Sequence, residues 1–145
     1  MTRSSVSYAV AGVAIAAALG LAAACKSTTS SNSCGSGTPP SLIGSYSLTS
    51  YTIGSTTIPN PPANGTLVFT AAKYTVNLSL PNGTGGTAVI ADSGTYAITG
   101  ASCISETSST GLPTFTGTFT LSGSTLSVSG TAGGQAAGST WAKTS

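Results

Sequence analysis

Between residues 41 and 145 apolar and polar side chains alternate in short runs. Leu67 and Phe69 alternate with polar or smaller residues, as do Tyr74, Val76, Leu78 and Leu80, and Leu126 and Val128 alternate with serines. A period of two puts the apolar members on one face of a strand. No segment beyond residue 40 shows a helical period. Turn markers separate the runs: Pro59-Asn60-Pro61-Pro62, Pro81-Asn82-Gly83, Gly100 and Ser122-Gly123. Asn82-Gly83 between alternating runs is the strongest local hairpin signal. The pattern predicts about eight strands, near 44–53, 65–70, 73–80, 86–92, 94–99, 101–107, 113–121 paired with 124–129, and 138–144. Many short strands at this spacing mean an all-β domain, either an antiparallel up-and-down barrel or a two-sheet β-sandwich.

A short motif recurs within these strands. Gly44-Ser45-Tyr46-Ser47-Leu48, Gly94-Thr95-Tyr96-Ala97-Ile98 and Gly117-Thr118-Phe119-Thr120-Leu121 share the order glycine, hydroxyl, aromatic, small, aliphatic, and Gly65-Thr66-Leu67-Val68-Phe69 is a looser copy. The aromatic and the aliphatic share a face. A recurrence every roughly 20–30 residues fits two strands per unit.

The first residues follow another rule. After Arg3 an apolar run of about 14 residues, Tyr8 to Leu21, has the length of a signal-peptide core and is short for a membrane-spanning helix. It ends in Leu21-Ala22-Ala23-Ala24-Cys25. Small residues before a cysteine resemble the lipobox of bacterial lipoproteins, although the Leu usually found three before the cysteine is Ala22 here. The resemblance implies a signal peptide over 1–24, read as a signal helix, and a diacylglyceryl group on Cys25 with further acylation of the new N-terminus. It also implies a protein exported and anchored to a membrane. The alternative is an ordinary signal peptide cut at an Ala-x-Ala site. Lys26 stands where an Asp tends to retain lipoproteins in the inner membrane, so the residue resembles the outer-membrane class.

Residues 26–40, a Ser/Thr/Gly stretch ending in Pro39-Pro40, have the composition of a disordered tether. Cys34 follows within it, and Cys103 lies in the domain. In an exported protein a disulfide is the default for such a pair. Free thiols are the second reading. A metal site is the third, and two thiols without a histidine make a poor one.

Charge then limits the chemistry. The chain has four basic and two acidic residues, no histidine and a net charge of +2. The basic residues are scattered, so no patch exists to neutralise phosphates, and nucleic acid is excluded as a partner. Without histidine there is no Ser-His-Asp or Cys-His arrangement. The two carboxylates in the domain, Asp92 and Glu106, are the only glycosidase-like pair available, and such a pair on a β domain is expected to be solvated. A Ser-Lys dyad using Lys73 or Lys143 is a weaker idea, given so many serines. Gly83-Thr84-Gly85-Gly86 has no following lysine or helix and is a hairpin end rather than a phosphate loop. Asn64, Asn77 and Asn82 lie in N-x-S/T sequons that Ser/Thr abundance produces by chance. The reading is a non-enzymatic, monomeric protein without metal or cofactor.

Several features together resemble the small lipocalin-like domains of exported bacterial lipoproteins. They are Gly-x-Tyr at the domain start, Gly65-Thr66-Leu67-x-Phe69-Thr70 with Tyr74 after it, Ser93-Gly94-Thr95-Tyr96, a Gly-x-Phe-x-Leu hairpin, and Trp141-Ala142-Lys143 at the end. The resemblance covers 41–145 and implies a lipocalin-like barrel that binds a small hydrophobic molecule or lipid. In such domains a Trp on the first strand lies under a basic residue from the last. Here Tyr46 stands in for the Trp, and Lys143 would be its partner. Tyr46, Tyr51, Phe69, Tyr74, Tyr96 and Trp141 are the candidate ligand-lining residues, with core filling as the plainer reading. Tyr51, out of phase with Tyr46 and Leu48, and Trp141, near the C-terminus, are expected to be partly exposed. The rival function is a structural or interaction module of the cell envelope.

Overall fold

Alternation in the chain becomes a closed wall. The computed structural model describes residues 34–145; the expected signal peptide over 1–24, Cys25 and the expected tether as far as residue 33 lie outside the described residues. The strands are β1 (Gly44–Ile53), β2 (Thr56–Pro59), β3 (Asn64–Phe69), β4 (Lys73–Pro81), β5 (Thr87–Thr99), β6 (Cys103–Ser108), β7 (Phe115–Ser122), β8 (Thr125–Ala132) and β9 (Gln135–Lys143). Every pairing is antiparallel, and neighbours in sequence from β3 to β9 are neighbours in the sheet. β1 closes the circle by pairing β3 along one edge and β9 along the other. The result is an eight-stranded up-and-down barrel, with β2 as an extra strand folded back on the second half of β1. It is the barrel, not the sandwich, that forms.

One strand expectation changes, and β2 is not among the expected strands. Residues 86–92 and 94–99, read as two strands, form the single strand β5. Gly94 bends the strand without ending it, because its pairing passes from β4 to β6 through that point. Asn82-Gly83 does sit in the β4–β5 hairpin, but in a wider loop than a two-residue turn. The Asn82 side-chain oxygen accepts from the backbone N–H groups of Thr84 and Gly86 and from the Thr84 hydroxyl, and so builds that loop itself.

The repeat has a structural cause. All four of its glycines (Gly44, Gly65, Gly94 and Gly117) lie where a Cβ would strike the backbone oxygen of another residue. In a small barrel the strands coil tightly, and glycine is the residue that lets one backbone approach another at a corner. The residue two further on then turns inward: Tyr46, Leu67, Tyr96 and Phe119. Gly94→Ala should push its new methyl into the Thr107 carbonyl and cost about 1–3 kcal/mol, measured as a lower urea midpoint with an unchanged slope.

Inward positions near the start of β1 form a filled core: Leu42, Tyr46, Leu48, Leu67, Phe69, Tyr74, Ile104, Phe119, Leu126 and Trp141 are buried. Eight strands leave room for side chains and little else. Tyr46 and Tyr96 each meet Phe69 edge to face. Trp141, expected to be partly exposed, is 2% exposed. Its register neighbours Leu48 and Leu126 place it inside, and its ring N–H donates to the Ser139 hydroxyl.

The same end is plugged by the chain that enters it. Cys34 is disulfide-bonded to Cys103. The Cys34 carbonyl accepts from the N–H groups of Ala101 and Ser102. Leu42 is buried, and its carbonyl accepts from the Tyr46 hydroxyl at 2.8 Å. Residues 34–40, read as the last part of a tether, are thus tied to the barrel by the disulfide. Gly100 makes room for them: its φ is +60°, and a Cβ there would meet the carbonyls of Cys34 and Gly35.

Candidate functional site

The two ends of the barrel differ. Most inward positions at the plugged end are buried, with Tyr96, Ile98 and Leu121 half-buried. Toward the opposite mouth Leu78 and Leu80 on β4 and Ala63 before β3 are buried, while Tyr51, Ile90, Glu106, Phe115, Ala132 and Ala137 are half-buried, so water reaches the lumen on the β1 and β5–β9 side of that mouth.

Tyr51 is there because of a bulge. Its register with β9 slips between Leu48 and Ser50, and the extra residue, Thr49, turns Tyr51 back to the inward face. The expectation that it is partly exposed holds. The expectation that it is out of phase with Tyr46 does not, since a one-residue bulge reverses the alternation.

Both carboxylates are inside as well, which corrects the reading of a solvated pair. Asp92 is 9% exposed. It accepts the Tyr74 hydroxyl at 2.6 Å and the Ser108 and Thr110 hydroxyls, each at 2.6 Å. Ser108 in turn accepts the N–H groups of Thr110 and Leu112, so Asp92 fastens the β6–β7 loop to the wall. Burial by itself would raise the Asp92 carboxyl. The three hydroxyls and the Ser93 N–H outweigh it and hold the group below its ordinary value. Burial, and then the hydrogen bond and charge of Asp92, push the Tyr74 hydroxyl well above its ordinary value.

Glu106 is treated differently by its surroundings. Its register partners are Tyr96 on β5 and Phe115 on β7. Tyr51 faces it from β1, four strands away around the wall in either direction, and burial followed by the Glu106 charge raises the Tyr51 hydroxyl. Burial first, and the Asp92 charge second, push Glu106 from 4.5 up to about 7. No hydrogen-bond or ion-pair partner holds it among the described residues.

No family model, no curated protein and no solved structure matches this chain. The site is therefore read from its own geometry. Of the six aromatic candidates, Tyr46, Phe69, Tyr74 and Trp141 fill the core, while Tyr51 and Tyr96 are partly exposed. Tyr96 leans toward the plugged end, where its hydroxyl donates to the Thr70 carbonyl. Lys143 is the register partner of Tyr46, and its Nζ lies 5.9 Å from that ring's centroid, the arrangement expected of this pair. Two hollows, of about 390 and 300 Å³, lie on the outer wall. Ser47, Thr66, Asn77 and Val89 line the first, and Thr52, Ser127 and Gly138 the second. Among the described residues no group of three or more His, Cys, Asp or Glu is placed to hold a metal.

The carboxylates were legible by phase. Asp92 is two from Ile90 and from Gly94, and Glu106 is two from Ile104. In strands with one inward face that spacing sends both acids inside.

Opposite shifts give an acid-side stability optimum. Asp92 has a lowered folded value, so its contribution is present above its unfolded value and lost as the pH falls through the folded one. Glu106 has a raised value. It costs nothing while protonated in both states, and its penalty grows as the pH rises from 4.5 to about 7. At full ionisation the penalty is at most about 3 kcal/mol, less whatever water penetration screens. Chemical denaturation across pH 3–9 should therefore show maximum stability near pH 4–5. Glu106→Gln should flatten the decline above pH 5 and raise stability at pH 8. A decline of the same size in the variant would assign it to another group.

Proposed function

We propose that this protein is an exported, lipid-anchored binding protein, held at a membrane through Cys25, whose barrel takes a small molecule at its far mouth. The observation that carries the reading is the polarity of the barrel. The end where the chain enters is plugged by Leu42 and pinned by Cys34–Cys103, and the opposite end leaves inward aromatic and carboxylate side chains within reach of water. The stretch from Cys25 to Cys34 reaches at most about 30 Å even when extended. The plugged end would then face the membrane and the mouth would face away. Two or three acyl chains, at about 0.8 kcal/mol per buried methylene, hold where one would not. With Lys26 after the cysteine, the outer membrane of a two-membrane cell is the favoured site.

The filled core argues for a ligand held at the mouth by Tyr51, Phe115 and their neighbours rather than one swallowed deep in the barrel. An envelope interaction module is the second reading. The outer wall of Ser, Thr and Asn side chains, on which Lys73 is the one exposed charged side chain among the described residues and Val89 is 74% exposed, favours it. Native mass spectrometry of the full chain released from membranes of the expressing cells separates the two. A reproducible non-covalent added mass supports the binding protein, and a bare lipidated mass in every preparation supports the module. Cys25→Ser should move the chain from the membrane to the soluble fraction, and a variant that stays on the membrane would remove the anchor from the proposal.

A further inference from the structure

The mouth holds one charged group that nothing in the barrel neutralises. We propose that it binds an organic cation, a small amine or quaternary ammonium whose charge rests beside Glu106 and whose carbon body lies against Tyr51 and Phe115. The proposal rests on the reading of the mouth as a ligand site and adds the ligand's chemical class.

The charges are sorted by position. Both lysines of the described residues belong to the plugged end: Lys73 begins β4, and Lys143 ends β9 over the Tyr46 ring. The titratable groups around Glu106 are its register partner Tyr96 and Asp92 on β5, Tyr74 on β4 and Tyr51 on β1. None of them is cationic. Asp92 is already saturated by three hydroxyls and a backbone N–H, so it adds negative field and offers no free acceptor. A half-buried carboxylate without a partner is unfavourable, and the ligand that relieves it carries positive charge. An anion would meet the field of both acids.

The walls narrow the class further. Aromatic faces beside a carboxylate are the setting in which ammonium groups bind, through ring quadrupole and charge together. Phe115 and Tyr96 flank Glu106 in the register, and Tyr51 stands opposite. A hard metal cation needs six or more oxygen ligands, and the mouth has one free carboxylate.

The test compares three probes of one size on the full chain at pH 8: phenethylammonium, 2-phenylethanol and 3-phenylpropionate, with tetramethylammonium as a second cation. Calorimetric titration should find the ammonium bound at least about tenfold more tightly than the alcohol, and the carboxylate not bound. Glu106→Gln, which should be the more stable protein at this pH, should erase the preference, and Lys73→Gln should keep it. At pH 5, where Glu106 takes up a proton, the preference should shrink in the same way. Alcohol and ammonium binding equally would overturn the cation and leave the ligand-binding reading standing. A preference that survives Glu106→Gln would also overturn it. No binding of any probe to a chain whose near-ultraviolet spectrum is that of the folded protein would overturn both.

Discussion

A chain carrying Cys34→Ala and Cys103→Ala should lose about 4 kcal/mol of unfolding free energy, because its unfolded state regains the freedom of a long open loop. The bond spans 69 residues, from just before the barrel to the first residue of β6, so it constrains β1 to β5 in the unfolded ensemble. Its loss should also loosen the plug. The Cys34 carbonyl would no longer be held against Ala101 and Ser102, and hydrogen exchange should rise first at 100–103 and near Leu42. Equilibrium urea unfolding measures the whole effect, and reduction of the wild-type chain should reproduce it. A loss below about 1 kcal/mol would mean that the unfolded chain stays compact around this pair without the bond.

The second large effect is at Asp92. Asp92→Ala should destabilise by about 3–5 kcal/mol, since three hydroxyl donors lose a buried charged acceptor at once. Tyr74 is 4% exposed, so its hydroxyl cannot turn to water. Ser108 and Thr110 sit at the loop and can. Tyr74→Phe removes one bond together with its donor and should cost only about 1–2 kcal/mol. The double variant should cost less than the sum of the two, because the pair is coupled. Additive losses would show that Asp92 acts through the loop alone. With Asp92 gone the Glu106 carboxyl should also titrate lower, since a negative neighbour has left. Titration of its carboxyl carbon by NMR in Asp92→Asn reads that shift.

Much of this was written along the chain. Alternation with a period of two, broken by glycine and proline, determined an all-β domain and most of its strands. The Gly-x-aromatic repeat marked the corners, because only glycine admits the close backbone approach seen at Gly65, Gly94 and Gly117. Expected export made a disulfide the default for Cys34 and Cys103 over free thiols or a metal, and the Tyr46–Lys143 pair was what the resemblance to a lipocalin-like closure implied.

What the tertiary structure decided is closure and phase. Whether a run of strands closes into a barrel or splits into a sandwich depends on pairing between β1 and β9, residues almost a hundred positions apart, and local pattern carries no such term. Thr49 shows the limit in one residue. An inserted bulge moves Tyr51 from the expected outer face to the lumen, and the alternation around it does not announce the slip. Asp92 and Glu106 show it again. Their inward phase was visible, but their opposite fates were not. Three hydroxyls from β4, β6 and the loop after it converge on one carboxylate and none on the other, and that convergence exists only once the wall has closed.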